Sequence, residues 1–414
     1  MSLWSLQSLG SLPRLSGGAA PRVYAIHPGK VGRVTISPMI RPFRVPTRVL
    51  LAPGALGRIP EIVAGYQPGR VLMVTDPGIE ETGIPERVWQ ALAEIEIEAI
   101  TFDDVEPNPR AATVDRLADW GREEGVSLVL GIGGGSVLDA AKAAAMVIPN
   151  GGAAAGYEGR DRYTEKPLPF LAVPTTCGTG SEVTWVSVLT VEERHAKISV
   201  KGEGMFPDWA IVDADLLRTL PGRLVAWTGA DALTHAVEAA TCRLANPVSD
   251  ALAEKAISLL LKYLRRAAAD ISGDAEAREA VMRASTLAGL AFGNADVAAV
   301  HCLSETLGGR WNLPHGLANA VLLLPVLRYN LAACADKMAS LESTLPPGSG
   351  AGAEGVLQAI ESLVRDLGIP QFRDLGIPQD TYPWIAERAA QNGSNGSNAR
   401  KMGAGEYLEL LSGL

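Results

Sequence analysis

The sequence predicts an α/β N-terminal domain, with a mostly parallel sheet in a Rossmann-like but variant order, followed by an all-α C-terminal domain. Three observations carry this expectation. Short apolar runs of strand length alternate with helical stretches as far as about Asp215. The apolar run Val126–Ile132 passes into Gly131-Ile-Gly-Gly-Gly-Ser136 and then into a helical stretch. Beyond residue 219, long Ala- and Leu-rich segments carry helix caps.

Length and composition set the frame. A chain of 414 residues with 47% hydrophobic content is too large for one core and predicts two domains of roughly 150 to 200 residues. The expected division is an extension over 1–45, a dinucleotide-binding domain over 46–218 and a helical domain over 219–414. A net charge of -9 argues against a nucleic-acid surface, so small molecules are the expected partners. Cys177, Cys242, Cys302 and Cys334 stand far apart without a C-x-x-C pair, as reduced thiols do in a cytoplasmic protein. No apolar run approaches the ~20 residues of a membrane helix, so no membrane association is expected.

The first sixty residues hold Arg14, Arg22, Lys30, Arg33, Arg41, Arg44, Arg48 and Arg58 before the first acid, Glu61. Transit peptides share that bias, but Pro13, Pro21, Pro28 and Pro38 break any amphipathic helix. A flexible extension, or a start at Met39, is expected, with order beginning near Pro46. Thr47–Ala52 reads as the first strand, Arg70–Asp76 as a buried strand ending in an acid, and Glu96–Phe102 as another.

The glycines at residues 131–135 let backbone N–H groups approach an anion at the start of the following helix, where a pyrophosphate fits. The pattern is not G-x-G-x-x-G, and the acid-ended strand precedes the glycines instead of following them, so a standard Rossmann order does not apply. Asp76 suits a ribose diol and would repel a 2′-phosphate, which favours NAD over NADP; it equally suits a helix N-cap before Pro77. After the apolar Phe170–Val173, Pro174-Thr-Thr-Cys-Gly-Thr-Gly-Ser-Glu182 sets hydroxyls and glycines where they could line a dinucleotide or simply form a turn.

Asp231 and His235 lie four residues apart in a helical run, so a carboxylate and an imidazole share one face. With His301 and His315 they make a credible donor set for a first-row divalent cation. The spacing alone also fits a helical carboxylate beside a satisfied histidine.

Together, Gly133-Gly-Gly-Ser-Val-Leu-Asp139, Pro174–Glu182, Gly229-Ala-Asp-Ala-Leu-Thr-His-Ala-Val-Glu238 and Leu313-Pro-His-Gly-Leu-Ala-Asn319 resemble the iron-containing (group III) alcohol dehydrogenase family, within the dehydroquinate synthase-like superfamily. The likeness covers roughly residues 46–414. It implies an active site between the two domains, metal ligation by Asp231, His235, His301 and His315, and a homodimer. It places Asp76, Asn108, Gly134, Gly135, Ser136, Asp139, Thr175, Thr176, Thr179, Thr184 and Lys197 around the cofactor. Iron is implied by resemblance; three imidazoles and a carboxylate suit zinc as well.

The sequence departs from the family where many members carry a second histidine four residues after the third ligand. Here that position is Glu305. Its carboxylate could take an alkoxide proton through water, orient His301, or serve structure alone. His27 and His195 are expected to be solvated. In the second half, Asn246-Pro-Val-Ser-Asp250 reads as a cap, Ala251–Ala269 and Ala275–Gly293 as helices, and Asn392-Gly-Ser-Asn-Gly-Ser-Asn398 as a flexible loop. The local repeat Arg365–Gln371 and Arg373–Gln379 is too short to be a repeat fold.

The expected activity is metal-dependent hydride transfer between a nicotinamide and a small alcohol or aldehyde. The alternatives are a lyase or cyclase of the dehydroquinate synthase type and a maleylacetate-reductase-like enzyme.

Overall fold

The computed structural model describes residues 43–414; His27 and the expected extension as far as residue 42 lie outside the described residues. Strands β1 (Arg48–Leu51), β2 (Val71–Val74), β3 (Ala99–Phe102) and β4 (Leu128–Gly133) alternate with helices α1 (Ile59–Ala64), α2 (Pro77–Glu80), α3 (Ile84–Ala93) and α4 (Ala111–Glu123). Helix α5 (Gly135–Asn150) follows β4, and the chain continues through β5 (Gly159–Arg160), β6 (Phe170–Pro174), β7 (Val186–Val191), β8 (Ala196–Lys201) and β9 (Trp209–Val212).

Six of these strands form one parallel sheet in the order β1-β9-β6-β4-β2-β3. Strands β2, β4 and β6 are buried along their whole length, which is why they read as continuous apolar runs. The two-residue period of a strand divides the core. Leu72 and Val74 pack with α4 and α5 on one face, while Val71 and Met73 pack with α1 and α3 on the other.

This topology resolves the ordering puzzle. Strand β3 lies on one side of β2, and the chain then returns to place β4 on the other side, pairing Val71 with Leu128 and Val74 with Gly131. The sheet reverses direction of growth between β2 and β4, the position where open α/β sheets bind ligands. Asp76 and the glycine turn are thus neighbours at one crevice although more than fifty residues separate them. Strands β7 and β8 form an antiparallel hairpin, with β5 parallel to β8, as a separate three-stranded sheet.

From Gly222 onward the described elements are helical: α6 (Gly222–Thr241), α7 (Pro247–Ala269), α8 (Ala275–Asn294), α9 (Ala299–Trp311), α10 (His315–Ser340), α11 (Gly352–Asp366), α12 (Tyr382–Gln391) and α13 (Ala404–Ser412), with short 3-10 turns between some of them. The Asn246 side chain accepts from the Val248 and Ser249 backbone N–H groups, and Ser249 Oγ accepts in return from the Asn246 N–H, closing a capping box at α7. In both copies of the repeated segment the helical part stops at a left-handed glycine, Gly368 after α11 and Gly376 after a 3-10 turn, each at φ 67°.

Two expectations fail. The segment His315–Thr344 is long and apolar enough to cross a membrane, with mean hydropathy 1.5. Leu322, Leu323, Val326 and Leu327 are instead buried in the helical core, so this is a core helix. The Asn392–Asn398 segment is an ordered structure rather than a flexible loop. Asp296 accepts from Ser394 Oγ and Ser397 Oγ, Asn398 and Asn330 exchange two amide hydrogen bonds, and Asn395 Nδ2 donates to the carbonyls of Ala390 and Met402. Its polar side chains bond inward, which composition alone does not reveal.

Candidate active site in the interdomain cleft

A cleft of about 1680 Å³ runs between the carboxyl edge of the large sheet and the helical domain, lined by Asp76, Asn108, Gly134, Gly135, Ser136 and Lys197 toward one end and by Asp231, His235, His301 and His315 toward the other. At the sheet end, Asp76 is the helix N-cap that its place before Pro77 suggests. Its Oδ1 caps α2 by accepting from Ile79 N at 3.0 Å, while the residue lines the cleft; burial raises its pKa, against the backbone hydrogen bonds that lower it.

The glycines are required by close packing. A Cβ on Gly135 would stand 2.4 Å from Thr179 Cγ2, and one on Gly134 would stand 3.0 Å from Thr176 Cγ2. The threonine loop therefore lies directly against the start of α5, whose first N–H groups have no intrahelical acceptor. Thr175 Oγ1 is buried and without a hydrogen-bond partner among the described residues.

Beneath the loop is a buried pair that sequence reading only half found. Asp139 accepts from Ser181 Oγ at 2.6 Å and from Val188 N at 2.9 Å. Lys142 Nζ donates to Ser181 O, Ser181 Oγ and Val186 O at 2.8–2.9 Å, with Thr184 Oγ1 at 3.4 Å. Burial pushes Lys142 down to about 8, opposed by the Asp139 and Glu182 charges. The signal for Lys142 was present, because it is the lone charge in the apolar run 140–148. Glu182, also buried, accepts from Thr286 Oγ1 at 2.8 Å and ties the loop to α8.

Asn108, in the left-handed region at φ 56°, ties the sheet half of the chain to the helical half beside the cleft. Its N–H donates to Ser136 Oγ, its Oδ1 accepts from Lys197 Nζ at 2.7 Å, and its Nδ2 donates to Asn312 Oδ1 at 2.7 Å across the domain boundary. Burial lowers the Lys197 pKa, while Glu305, Asp139 and Asp231 oppose that shift. His195 is exposed, at the turn between β7 and β8.

At the helical end, Asp231, His235, His301 and His315 each offer a ligand atom, and these atoms lie within 4.8 Å of one another. Helix α6 sets Asp231 and His235 one turn apart, α9 brings His301, and His315 opens α10. Glu238 Oε2 accepts from His301 Nδ1 at 2.6 Å, which assigns the ring proton to Nδ1 and leaves the Nε2 lone pair toward the cluster. Burial holds His235 down at about 4 and His315 at about 3, so both are neutral, ligand-ready imidazoles at pH 7. Burial opposes ionisation of Asp231, but the three imidazoles and the Asn319 amide outweigh it and its pKa is lowered.

Among the described residues, the buried Nδ1 atoms of His235 and His315 have no hydrogen-bond partner. Three nitrogens and a carboxylate oxygen, without a thiolate, fit Fe²⁺ or Zn²⁺.

The comparisons agree with this geometry. Residues 46–214 match the iron-containing alcohol dehydrogenase family and residues 225–413 its Fe-containing C-terminal family. The 1,3-propanediol dehydrogenase of Citrobacter freundii is 38% identical over 377 residues, covering 89% of this chain and 97% of the relative. The chain belongs to the iron-containing alcohol dehydrogenase family.

Members of this family are oxidoreductases acting on alcohols, with NAD(H) and iron as cofactors, and this chain is an alcohol dehydrogenase of that type. Alcohol dehydrogenase 4 of Schizosaccharomyces pombe is 36% identical over 368 residues, covering 86% of this chain and 85% of the relative. Among solved structures, a 1,3-propanediol oxidoreductase superposes with TM-score 0.86 at 38% identity, covering 90% of this chain and all of that one. The NAD+ complex of sulfoacetaldehyde reductase from Bifidobacterium kashiwanohense has TM-score 0.82 at 29% identity, covering 91% of this chain and 98% of that one.

Against the family pattern, Glu305 does not orient His301, because Glu238 has taken that Nδ1–H. Glu305 Oε2 accepts instead from Asn392 Nδ2 at 2.7 Å, and the residue lines the cleft. Sequence reading also missed Asn319, whose Nδ2 donates to Asp231 Oδ1 at 2.6 Å and lies 3.0 Å from His301 Nε2 and 3.1 Å from His315 Nε2. Helical spacing could have found both. Glu238 follows Asp231 by seven residues and Asn319 follows His315 by four, so each pair shares a face.

Proposed function

We propose that this iron-containing alcohol dehydrogenase homologue transfers hydride between NAD and a small polar alcohol or its aldehyde, with the cation held by Asp231, His235, His301 and His315. The observation that carries the assignment is the convergence of those four ligand atoms in the cleft that also contains Asp76 and the glycine turn. Bound there, the cation supplies Lewis acidity toward the alcohol oxygen and the nicotinamide supplies the hydride acceptor.

The chain's own groups do the positioning. The N–H groups opening α5 and the Thr175, Thr176 and Thr179 side chains hold the dinucleotide, with Lys142 and Asp139 fixing the loop beneath them. Asp76 accepts from a ribose hydroxyl and repels a 2′-phosphate, which selects NAD over NADP. Glu238 fixes the His301 tautomer, and Glu305 presents a carboxylate to the substrate.

The names of relatives support a small polar substrate: a 1,3-propanediol dehydrogenase in Citrobacter freundii and a sulfoacetaldehyde reductase in Bifidobacterium kashiwanohense. We assign the protein to the cytoplasm, in keeping with four buried free thiols. We also assign it a homodimeric state, supported by the exposed apolar Val49 and Leu51 on sheet-edge strand β1 and Phe43 and Val45 just before it. The test is NADH formation by metal-stripped protein reloaded with Fe²⁺ or Zn²⁺, across a panel of alcohols. Reloaded protein that reduces NAD with no alcohol, or stripped protein with full turnover, sinks the reading.

A further inference from the structure

We infer that Glu305 selects substrates carrying a second hydroxyl, so that a short diol or the matching hydroxyaldehyde is preferred over a plain alkanol of the same size. The inference rests on the alcohol dehydrogenase reading above and names the substrate class of that site.

Glu305 follows His301 by one helical turn on α9, so its side chain stands on the ligand-bearing face and lines the same cleft. One carboxylate oxygen is committed. Asn392 Oδ1 accepts from Ser394 N at 2.9 Å, which fixes the amide orientation and turns Nδ2 toward Glu305 Oε2 at 2.7 Å. The Asn392 loop is itself anchored, because Asp296 accepts from Ser394 and Ser397. Glu305 is therefore a pinned carboxylate, not a solvated one free to turn away.

The other oxygen, Oε1, has no hydrogen-bond partner among the described residues. No cation lies within ion-pair distance of Glu305 among the described ion pairs; Lys197, whose Nζ donates to Asn108 Oδ1, feels the Glu305 charge without an ion pair between them. The cleft lining from the helical domain includes the apolar Phe292, Val297 and Trp384 as well as the polar Thr306, Arg388 and Gln391. A substrate that fills the space with an alkyl tail displaces water from Oε1 and offers nothing in return. A substrate with a second O–H restores the lost hydrogen bond. Sites built to hydrogen-bond a substrate hydroxyl reject analogues lacking it more strongly than apolar pockets reject an extra methylene. A hydrogen bond to a charged acceptor corresponds to a preference of about ten- to hundredfold.

The experiment compares 1,3-propanediol with 1-butanol, which have equal numbers of heavy atoms, on metal-loaded enzyme. Wild type is expected to favour the diol by about ten- to hundredfold in kcat/KM, and Glu305→Leu to bring the ratio close to one. Calorimetric titration of the NADH-loaded holoenzyme with each alcohol gives a readout independent of turnover and of the variant's folding, with the diol expected to bind more tightly. Equal kcat/KM and equal affinity for the two alcohols in wild type would overturn the inference while leaving the dehydrogenase assignment standing. Loss of one limb of the pH–rate profile in Glu305→Leu, equally for both alcohols, would overturn it in favour of proton transfer. Failure to reduce NAD with any alcohol is a different outcome, which overturns the parent reading and this inference together.

Discussion

Glu238 Oε2 and His301 Nδ1 stand 2.6 Å apart in the helical core, and the same carboxylate accepts from the N–H groups of Ala298 and Val300. One side chain on α6 thus fixes both the start of α9 and the tautomer of the histidine that α9 carries. Replacing Glu238 with Gln keeps much of the shape but weakens the hold on that tautomer. Metal affinity is expected to fall by about ten- to a hundredfold, measured by competition with a chromophoric chelator. Unchanged affinity would show that the helix, not the carboxylate, positions the ring.

Removing the metal is expected to lower stability as well as abolish turnover. Three imidazoles and a carboxylate from three helices converge here, and a ligand that binds only the folded chain stabilises it by mass action. With free metal at a hundred times Kd the gain is about 2.7 kcal/mol, so chelation should lower Tm by a few degrees in calorimetry. An identical Tm with and without a cation would argue against this site.

Asp76 is expected to set the choice of dinucleotide. Asp76→Asn retains an oxygen to cap α2 but loses the charge, so kcat/KM with NADP should rise roughly tenfold or more while folding is preserved. Steady-state kinetics with both dinucleotides decide this. No gain with NADP would mean that the adenosine ribose lies elsewhere.

Lys142 should leave its mark on stability at alkaline pH. Its pKa is about 8 in the folded chain against 10.5 for an ordinary lysine, with burial as the main cause. Below about pH 8 both folded and unfolded chains carry the proton, and the cost of burying the charge is fully present. Between about 8 and 10.5 the folded chain releases the proton first, so unfolding takes one up and stability rises with pH relative to a chain lacking the group. Lys142→Met removes this rise. It also leaves Ser181 O and Val186 O without their donor and Asp139 without its countercharge, at a cost of about 3 to 5 kcal/mol near neutrality. Urea unfolding of both proteins at pH 7.5 and pH 10 checks both parts. Parallel pH dependence in the two proteins would assign the titration to another group.

Much of the site was legible along the chain because helices and strand ends keep short-range spacing. Asp231 and His235 meet one turn apart on α6, Gly134 and Gly135 meet the threonine loop at the start of α5, and Asn246 caps α7 where its neighbours indicated. The rest of the site depends on contacts between elements distant in sequence. Glu238 reaches His301 across 63 positions, and Asn392 reaches Glu305 across 87. The Gly- and Ser-rich composition of 392–398 suggests a flexible loop, because its ordering partners, Asp296 and Asn330, lie elsewhere in the chain.

By itself, then, the sequence determined the alternating α/β half, the helical half, the glycine turn and the shared helix face of Asp231 and His235, because each is set by residue type at short, regular spacing; the convergence of His301 and His315 on that face is tertiary. Only the tertiary structure decided that β2 and β4 are neighbours, so that Asp76 shares the crevice of the glycine turn, and that Glu238 rather than Glu305 holds His301. Both depend on which elements pack together, and packing is settled by burial of whole faces rather than by any local run of residues.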